Sequence, residues 1–260
     1  MTQAIKRGHT LALLTAAAAL AVCLCPALVS AQTVPPLDHF KCYLSAEIPS
    51  AAGVFPGTEV FLQDQFTPAG VLIPSFAYRP VRFCNPVKKT LPDGTVTPVS
   101  DFNAHLTLYT LASSVLHPSR RVVISNQFGQ KRLMTTQPIA LLVPTAKNTQ
   151  PPPEDLDHFE CYRATGPTLR VKPQLSDQFQ DTTNRVVRPI ALCNPVTKRH
   201  GDIVTPIKHP DDHLVCYSIT PVDFSGQAQI RNQFQAAVFG IKAADILCVP
   251  SKKLSVTVIP

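Results

Sequence analysis

The sequence contains no tryptophan, two methionines and only ten glycines among its 260 residues. Without tryptophan it lacks the aromatic platform on which many carbohydrate-binding proteins stack their ligands. Beyond residue 31 there is no GxSxG, no HExxH, no glycine-rich phosphate loop and no CxxC pair. The usual signatures of serine hydrolases, zinc peptidases, nucleotide-binding proteins and thiol oxidoreductases are therefore absent. We expect a protein that is not an enzyme and that uses no cofactor.

Long apolar runs are also scarce, and the one that exists lies at the amino terminus. It extends from Leu11 to Val22, follows Lys6 and Arg7, and is followed by small residues up to Ala31. This arrangement predicts a cleaved secretory signal over residues 1–31 and a secreted protein, either periplasmic or extracellular. Lipid attachment at Cys23 is disfavoured because Val22 stands where a small residue is needed. No later stretch approaches eighteen apolar residues, so we expect no integral membrane segment after cleavage.

The charge balance is mildly basic. The chain has 24 Lys+Arg and 17 Asp+Glu, and removing Lys6 and Arg7 leaves 22 against 17, a net charge of +5. The basic residues are spread along the chain and form no basic run with interleaved aromatic residues. This distribution argues against nucleic acid and favours a protein or a surface polymer as the partner.

One motif occurs four times and divides the chain into four units. Each unit has an opening segment, a triplet and a closing segment. Unit 1 has DHFKCY (38–43), DQF (64–66) and CNPVKK (84–89); unit 2 has AHLTLY (104–109), NQF (126–128) and LLVPTAK (141–147). Unit 3 has DHFECY (157–162), DQF (177–179) and LCNPVTK (192–198); unit 4 has DHLVCY (212–217), NQF (232–234) and LCVPSKK (247–253). Such periodicity indicates that one structural unit is used repeatedly.

The repeat selects one disulfide pairing among the fifteen that six cysteines permit. Unit 2 carries Leu108 and Leu142 at both cysteine positions, and a joint replacement is what a lost bridge requires. We therefore predict bridges within the other units: Cys42 with Cys84, Cys161 with Cys193, and Cys216 with Cys248. A loop of this size stabilises the fold by roughly 3.5 to 4 kcal/mol per bridge. A thiolate metal site would need closer cysteine spacing.

The local patterns predict an all-β fold. Phe159 and Cys161 alternate with His158, Glu160 and Tyr162, as the two faces of a strand do. The 26 prolines leave little room for long helices. Three strands per unit would make two tandem disulfide-bonded β-sandwich or barrel-like domains, each an internal duplication, at residues 35–147 and 155–257. Residues 148–154 would be a stiff proline-rich linker. A single pseudo-symmetric domain is the alternative.

Polar residues recur at matching positions and are the candidate site residues. Histidines stand three residues before the cysteine position, and three of them follow an aspartate. They are His39, His105, His158 and His213, with Asp38, Asp157 and Asp212. One hypothesis is that symmetry gathers these side chains, His39, His158, His213 and the three aspartates, into metal sites. The other, which we favour, is that each histidine caps its strand by hydrogen bonding, with the aspartate fixing the ring.

The remaining repeated positions have structural and functional interpretations. The triplet phenylalanines are expected in the core and the triplet glutamines at turns, although the glutamines could line a polar groove. The lysines Lys89, Lys147, Lys198 and Lys253 are expected to be solvated beside a sheet edge. Tyr43, Tyr109, Tyr162 and Tyr217 recur once per unit.

These motifs, His-Phe-x-Cys-Tyr, Asp-Gln-Phe and Cys-Asn-Pro-Val-x-Lys, resemble those of a functionally uncharacterised family of secreted bacterial proteins. The resemblance covers nearly the whole chain after residue 31 and implies export without implying an activity. From the residues we expect a non-enzymatic binding, adhesive or structural module of the cell envelope or extracellular space. The alternative is a metal-binding or carbohydrate-active domain that uses the repeated His/Asp or Tyr/Gln positions.

Overall fold

A computed structural model describes residues 1–2, 36–51 and 53–259, so nearly all of the predicted signal, residues 1–31, lies outside the described residues. Within them the chain forms seventeen strands and no helix. The described residues therefore contain no helix long and apolar enough to cross a membrane. The strands are β1 (Phe40–Glu47), β2 (Thr58–Gln63), β3 (Ile73–Pro86), β4 (Lys88–Thr90), β5 (Val96–Thr97), β6 (His105–Ser113), β7 (Arg120–Asn126), β8 (Gly129–Lys147), β9 (Phe159–Thr165), β10 (Gln174–Ser176), β11 (Asp181–Thr183), β12 (Val186–Pro195), β13 (Thr197–His200), β14 (Ile203–Thr205), β15 (His213–Val222), β16 (Gly226–Arg231) and β17 (Ala236–Val258). The all-β prediction is confirmed.

Eight strands form a closed antiparallel ring. Its order is β1, β3, β6, β8, β9, β12, β15 and β17, and β17 pairs with β1 to close it. Each unit contributes two consecutive ring strands, one containing its opening segment and one containing its closing segment. Closure leaves none of these eight strands with an unpaired edge along its ring segment.

The interior of the ring is apolar and contains the bridges. The structure joins Cys42 to Cys84, Cys161 to Cys193, and Cys216 to Cys248, the three pairings that the repeat predicts. In unit 2, Leu108 lies opposite Leu142 across β6 and β8, and both pack in the same buried cluster as the cysteines. Because side chains alternate along a strand, the residues next to these cysteines and leucines in sequence face the outside of the ring.

The rest of each unit is an arm, a hairpin that leaves the ring between the two ring strands. The four arms contain β2, β7, β10 with β11, and β16. Each arm ends in a tip formed by the Asp/Asn-Gln-Phe triplet, and it pairs with a strand two units away. Thus β2 pairs with β13, β7 with the end of β17, β10 with β4, and β16 with the end of β8. The arms therefore cover the outer face of the ring, which explains why both faces of its strands are buried.

The structure does not confirm two tandem domains. Residues 35–260 form one compact unit, β8 of the first half pairs with β9 of the second, and β1 pairs with β17. The proline-rich segment 148–154 is not a free spacer at its start, because the backbone N–H of Asn148 donates to the carbonyl of Gln229 on β16. The architecture corresponds to the single pseudo-symmetric domain, since hydrogen bonding between the halves closes the sheet.

Candidate functional site

The repeated polar and aromatic residues meet at four joints on the outside of the ring. At each joint the phenylalanine of an arm tip packs against the tyrosine two units away. It also lies under the lysine of the unit that precedes it around the ring, where unit 4 precedes unit 1. The first joint contains Phe66, Tyr162 and Lys253; the second Phe128, Tyr217 and Lys89; the third Phe179, Tyr43 and Lys147; the fourth Phe234, Tyr109 and Lys198. The ring centroids of each phenylalanine and tyrosine are 4.9 to 5.3 Å apart in an edge-on arrangement, a favourable geometry for aromatic pairs.

The first residue of each triplet shapes the arm tip. In all four tips its side-chain oxygen accepts the backbone N–H of the phenylalanine two residues later, at 2.7 to 2.9 Å. This is the turn that Asp and Asn form with their own backbone, and it explains why only these two residue types occur there. The same side chain also reaches the ring: Tyr43 donates to Asp177 at 2.8 Å, and Asn126 donates to Tyr217 at 2.9 Å.

The four tyrosines have no exposed surface. They fill the joints, so they offer no platform on which a sugar could stack. The triplet glutamines are exposed, yet they anchor the tips to loops of other units. Gln65 donates to the carbonyl of Pro210 at 2.7 Å, and Gln178 donates to the carbonyl of Phe102 at 2.9 Å. These two glutamines are therefore used in contacts between units.

The prediction that the repeated lysines are solvated is wrong. Lys89 and Lys198 have no exposed surface, Lys147 is 4% exposed, and Lys253 is half-buried. Each ammonium group lies 4.8 to 5.3 Å from the ring centre of an arm-tip phenylalanine. Burial lowers the pKa of Lys89 to about 7 and that of the other three to about 8. Sequence could not show this burial because the covering phenylalanine belongs to another unit.

The histidines lie beside these lysines. Nζ of Lys89 donates to Nε2 of His39 at 2.9 Å, and Nε2 of His105 donates to Gln150 at 3.0 Å. Burial, aided by the neighbouring lysine, lowers the pKa of His39, His105 and His213 to about 3 and that of His158 well below its ordinary value. These rings are therefore neutral at physiological pH.

The three aspartates before the histidines gather at one end of the ring but do not orient the rings. Asp38 accepts the backbone N–H groups of Ser100 and Asp101, and Asp157 accepts those of Lys208 and His209. With Asp212 they line a small cavity of about 50 Å³. The described residues contain no group of three or more His, Cys, Asp or Glu side chains arranged to hold a metal ion. The structure thus gives no support to the metal hypothesis for His39, His158, His213 and these aspartates.

The first joint contains a second carboxyl group, which the sequence did not single out. Glu160 is 1% exposed and accepts a hydrogen bond from Tyr162 at 3.3 Å, and Asp64 of the arm tip lies beside it. Burial and the charge of Asp64 raise the pKa of Glu160, and burial raises the pKa of Asp64. At the third joint the position of Glu160 is taken by Lys41, which faces Asp177.

The joints are of two chemical kinds, and the sequence carried a signal for this. Where the arm tip begins with Asp, the closing segment that it meets contains Asn: Asp64 meets Asn194, and Asn85 is its counterpart for Asp177. Where the arm tip begins with Asn, the closing segment offers a hydroxyl instead. Asn126 donates to Ser251 at 2.9 Å, and Asn232 donates to Thr145 at 3.3 Å. This alternation could have revealed that units 1 and 3 contact each other, as do units 2 and 4.

Outside the joints, an open groove of about 590 Å³ lies beside β16. Because side chains alternate, the outer face of this strand presents Gln227, Gln229 and Arg231, which are exposed, whereas Ala228 and Ile230 are buried. Asn148 and Glu47 complete the polar lining, and Ile48 and Val238 contribute apolar surface. The groove therefore has three amides and one charge of each sign.

The four-unit ring can be compared with known proteins. The family model described as "Repeat of unknown function (DUF7450)" matches residues 105–250. The chain belongs to this repeat family. The matched segment contains unit 3 and nearly all of units 2 and 4, and these units share their opening, triplet and closing segments with unit 1. No curated protein and no solved structure matches the chain.

Proposed function

We propose that this protein is an exported, non-enzymatic binding module whose repeats form a rigid scaffold. The observation that carries the proposal is the use of the repeated residues: tyrosines, phenylalanines, lysines and triplet Asp or Asn residues contact one another across units. Three disulfides within the ring support export, because such bonds persist in oxidising compartments. A partner would then be bound by a surface that the four units do not share.

The groove beside β16 is the surface that we propose for the partner. It lies beside β16, the arm strand of unit 4, and its amides can both donate and accept hydrogen bonds. Its lining contains none of the aromatic side chains that usually anchor a protein partner. This chemistry favours a hydroxyl-rich surface polymer over a folded protein.

The proposal is tested by measuring how much purified protein sediments with isolated bacterial envelope polysaccharide. The variant Gln227→Ala/Gln229→Ala removes two exposed amides from the groove. If each amide contributes about 1 kcal/mol, the affinity for the polysaccharide should fall roughly thirtyfold and less protein should sediment. The control variant, Gln130→Ala/Gln174→Ala, removes two exposed amides elsewhere and should bind like the wild type. Equal retention of both variants, or no retention of the wild type, would contradict the proposal.

A further inference from the structure

Three side chains from three units make an unbroken chain of contacts at the first joint. Nζ of Lys253 donates to Oδ1 of Asn194 at 3.1 Å, and Nδ2 of Asn194 donates to Oδ2 of Asp64 at 2.8 Å. Asn194 has no exposed surface and Asp64 is 5% exposed. A lysine amine therefore lies beside a buried carboxamide whose nitrogen is already hydrogen-bonded to a carboxyl group.

The surroundings suit a reaction between these groups. The ring centre of Phe66 is 4.8 Å from Nζ of Lys253, and the backbone N–H of Phe66 fixes the other oxygen of Asp64 at 2.7 Å. Burial lowers the pKa of Lys253 to about 8, and burial raises the pKa of Asp64. An uncharged amine is a nucleophile, and a protonated carboxyl group can supply a proton to a leaving group. Apolar surroundings thus bring both partners closer to their reactive forms.

We propose that Lys253 and Asn194 join in an intramolecular isopeptide bond, with Asp64 as the catalytic acid and base. Lys253 first gives its extra proton to the Asp64 carboxylate. Its amine then attacks the side-chain carbonyl carbon of Asn194, forming a C–N bond. Asp64 returns the proton to the amide nitrogen, the original C–N bond breaks, and ammonia leaves, carrying the surplus proton as ammonium. Lysine ammonium and asparagine amide thus become one amide and one ammonium ion, with no oxidant or other co-reactant.

The other joints provide an internal comparison. The third joint has the same residue types, Lys147, Asn85 and Asp177, and both polar side-chain atoms of Asn85 are buried without a hydrogen-bond partner. The burial of Asn85 is complete. The three residue types thus recur at the equivalent positions of the third joint, but only at the first joint do hydrogen bonds connect all three.

The second and fourth joints lack the two groups that the reaction needs. Val249 and Val143 stand where Asn194 and Asn85 stand, and the arm tips begin with Asn126 and Asn232 in place of aspartate. Their lysines have other partners: Lys89 donates to His39, and Lys198 donates to Gln233. Carboxamide and carboxyl group are thus lost together, which links their roles.

The bond would join the end of β12 in unit 3 to β17 in unit 4 beneath the arm of unit 1. Unlike the disulfides, it would persist under reducing conditions. Strand β15 lies between these two strands in the ring and pairs with β12 on one side and with β17 on the other. The side-chain bond would therefore cross β15 and add a covalent link between units 3 and 4.

The test is the intact mass of the exported protein after denaturation and complete reduction, followed by a proteolytic digest. The expected spectrum shows a deficit of about 17 Da, one ammonia, and a branched peptide that contains Asn194 and Lys253. Lys253→Arg keeps the positive charge, and Asn194→Val copies the residue at position 249; both should abolish the branched peptide. Asp64→Asn, which copies the second and fourth joints, should abolish it in folded protein. Lys198→Arg is the matched control and should retain it.

Wild-type protein with the full reduced mass would overturn the proposal, as would a deficit that maps to peptides without Asn194 and Lys253. Persistence of the branched peptide in Asp64→Asn at the wild-type rate would refute the role of Asp64. Folding of each variant is verified beforehand from its three disulfides and its circular dichroism spectrum, so that loss of the bond is not confused with loss of the fold.

Discussion

Unit 2 should accept a fourth disulfide in the interior of the ring. Leu108 and Leu142 are directly opposite each other across β6 and β8, as Cys42 and Cys84 are across β1 and β3. The double variant Leu108→Cys/Leu142→Cys therefore places two thiols at the position where the other units carry bridges. Under oxidising conditions we expect a fourth bridge and no free thiols.

The size of the effect follows from the loop that the bridge closes. The two positions are 34 residues apart (142 − 108), and the chain-entropy relation gives roughly 3.8 kcal/mol for such a loop. Losing two leucine side chains opposes this gain, because both are packed in the ring interior. The proper reference is therefore Leu108→Ala/Leu142→Ala, which loses similar volume and forms no bridge. Relative to this reference, the cysteine variant should be about 3 to 4 kcal/mol more stable.

Guanidinium unfolding without reductant, followed by far-ultraviolet circular dichroism, measures this difference, and thiol titration of the denatured protein counts free cysteines. Free thiols in the folded cysteine variant would show that unit 2 is not geometrically equivalent to the bridged units. A bridged variant that unfolds at the same denaturant concentration as the alanine variant would refute the loop argument itself.

Two further predictions concern the joints and the repeated histidines. Burial and Asp64 raise the pKa of Glu160 above its ordinary value of 4.5, so the unfolded chain releases this proton at lower pH than the folded protein. The free energy of unfolding should therefore fall as pH rises above 4.5, by at most about 1.4 kcal/mol per pH unit. In urea unfolding from pH 5 to 8, Glu160→Gln should flatten this slope. Parallel wild-type and variant curves would show that Glu160 is not the group responsible. His158→Ala should lower the free energy of unfolding by roughly 2 kcal/mol because the residue is 3% exposed. Native mass spectrometry should show no bound metal in the wild type or the variant, and a metal bound in fixed ratio to the wild type and lost from the variant would support the metal hypothesis.

Sequence reasoning succeeded where the relevant contact lies within one unit. The joint loss of two cysteines in unit 2 identified Leu108 and Leu142 as partners, and the structure places them opposite each other. Strand alternation likewise assigned Phe159 and Cys161 to one face and Tyr162 to the other, and these residues lie in separate buried clusters. Both inferences use only short-range periodicity, which the sequence records directly.

It failed where the contact joins different units. Lys89 was expected in solvent because a lysine after a turn is usually hydrated, but the arm of unit 2 brings Phe128 over it. The division into two domains at residues 148–154 was not confirmed for the same reason, since β8 of the first half and β9 of the second half pair with each other. Four similar units in a sequence do not by themselves show whether they form two domains of two units each or one ring of four units.

The reach of the arms constrains the order in which the protein can mature. The tip of unit 1 is completed only by Tyr162 and Lys253, so the first arm must wait for almost the entire chain before it can dock. Each disulfide, by contrast, spans only 32 or 42 residues and can form as its own unit emerges. Contacts between distant parts of a chain make folding slow. During folding the molecule should thus pass through a stage in which its units are cross-linked one by one while its arms are still undocked and accessible to proteases.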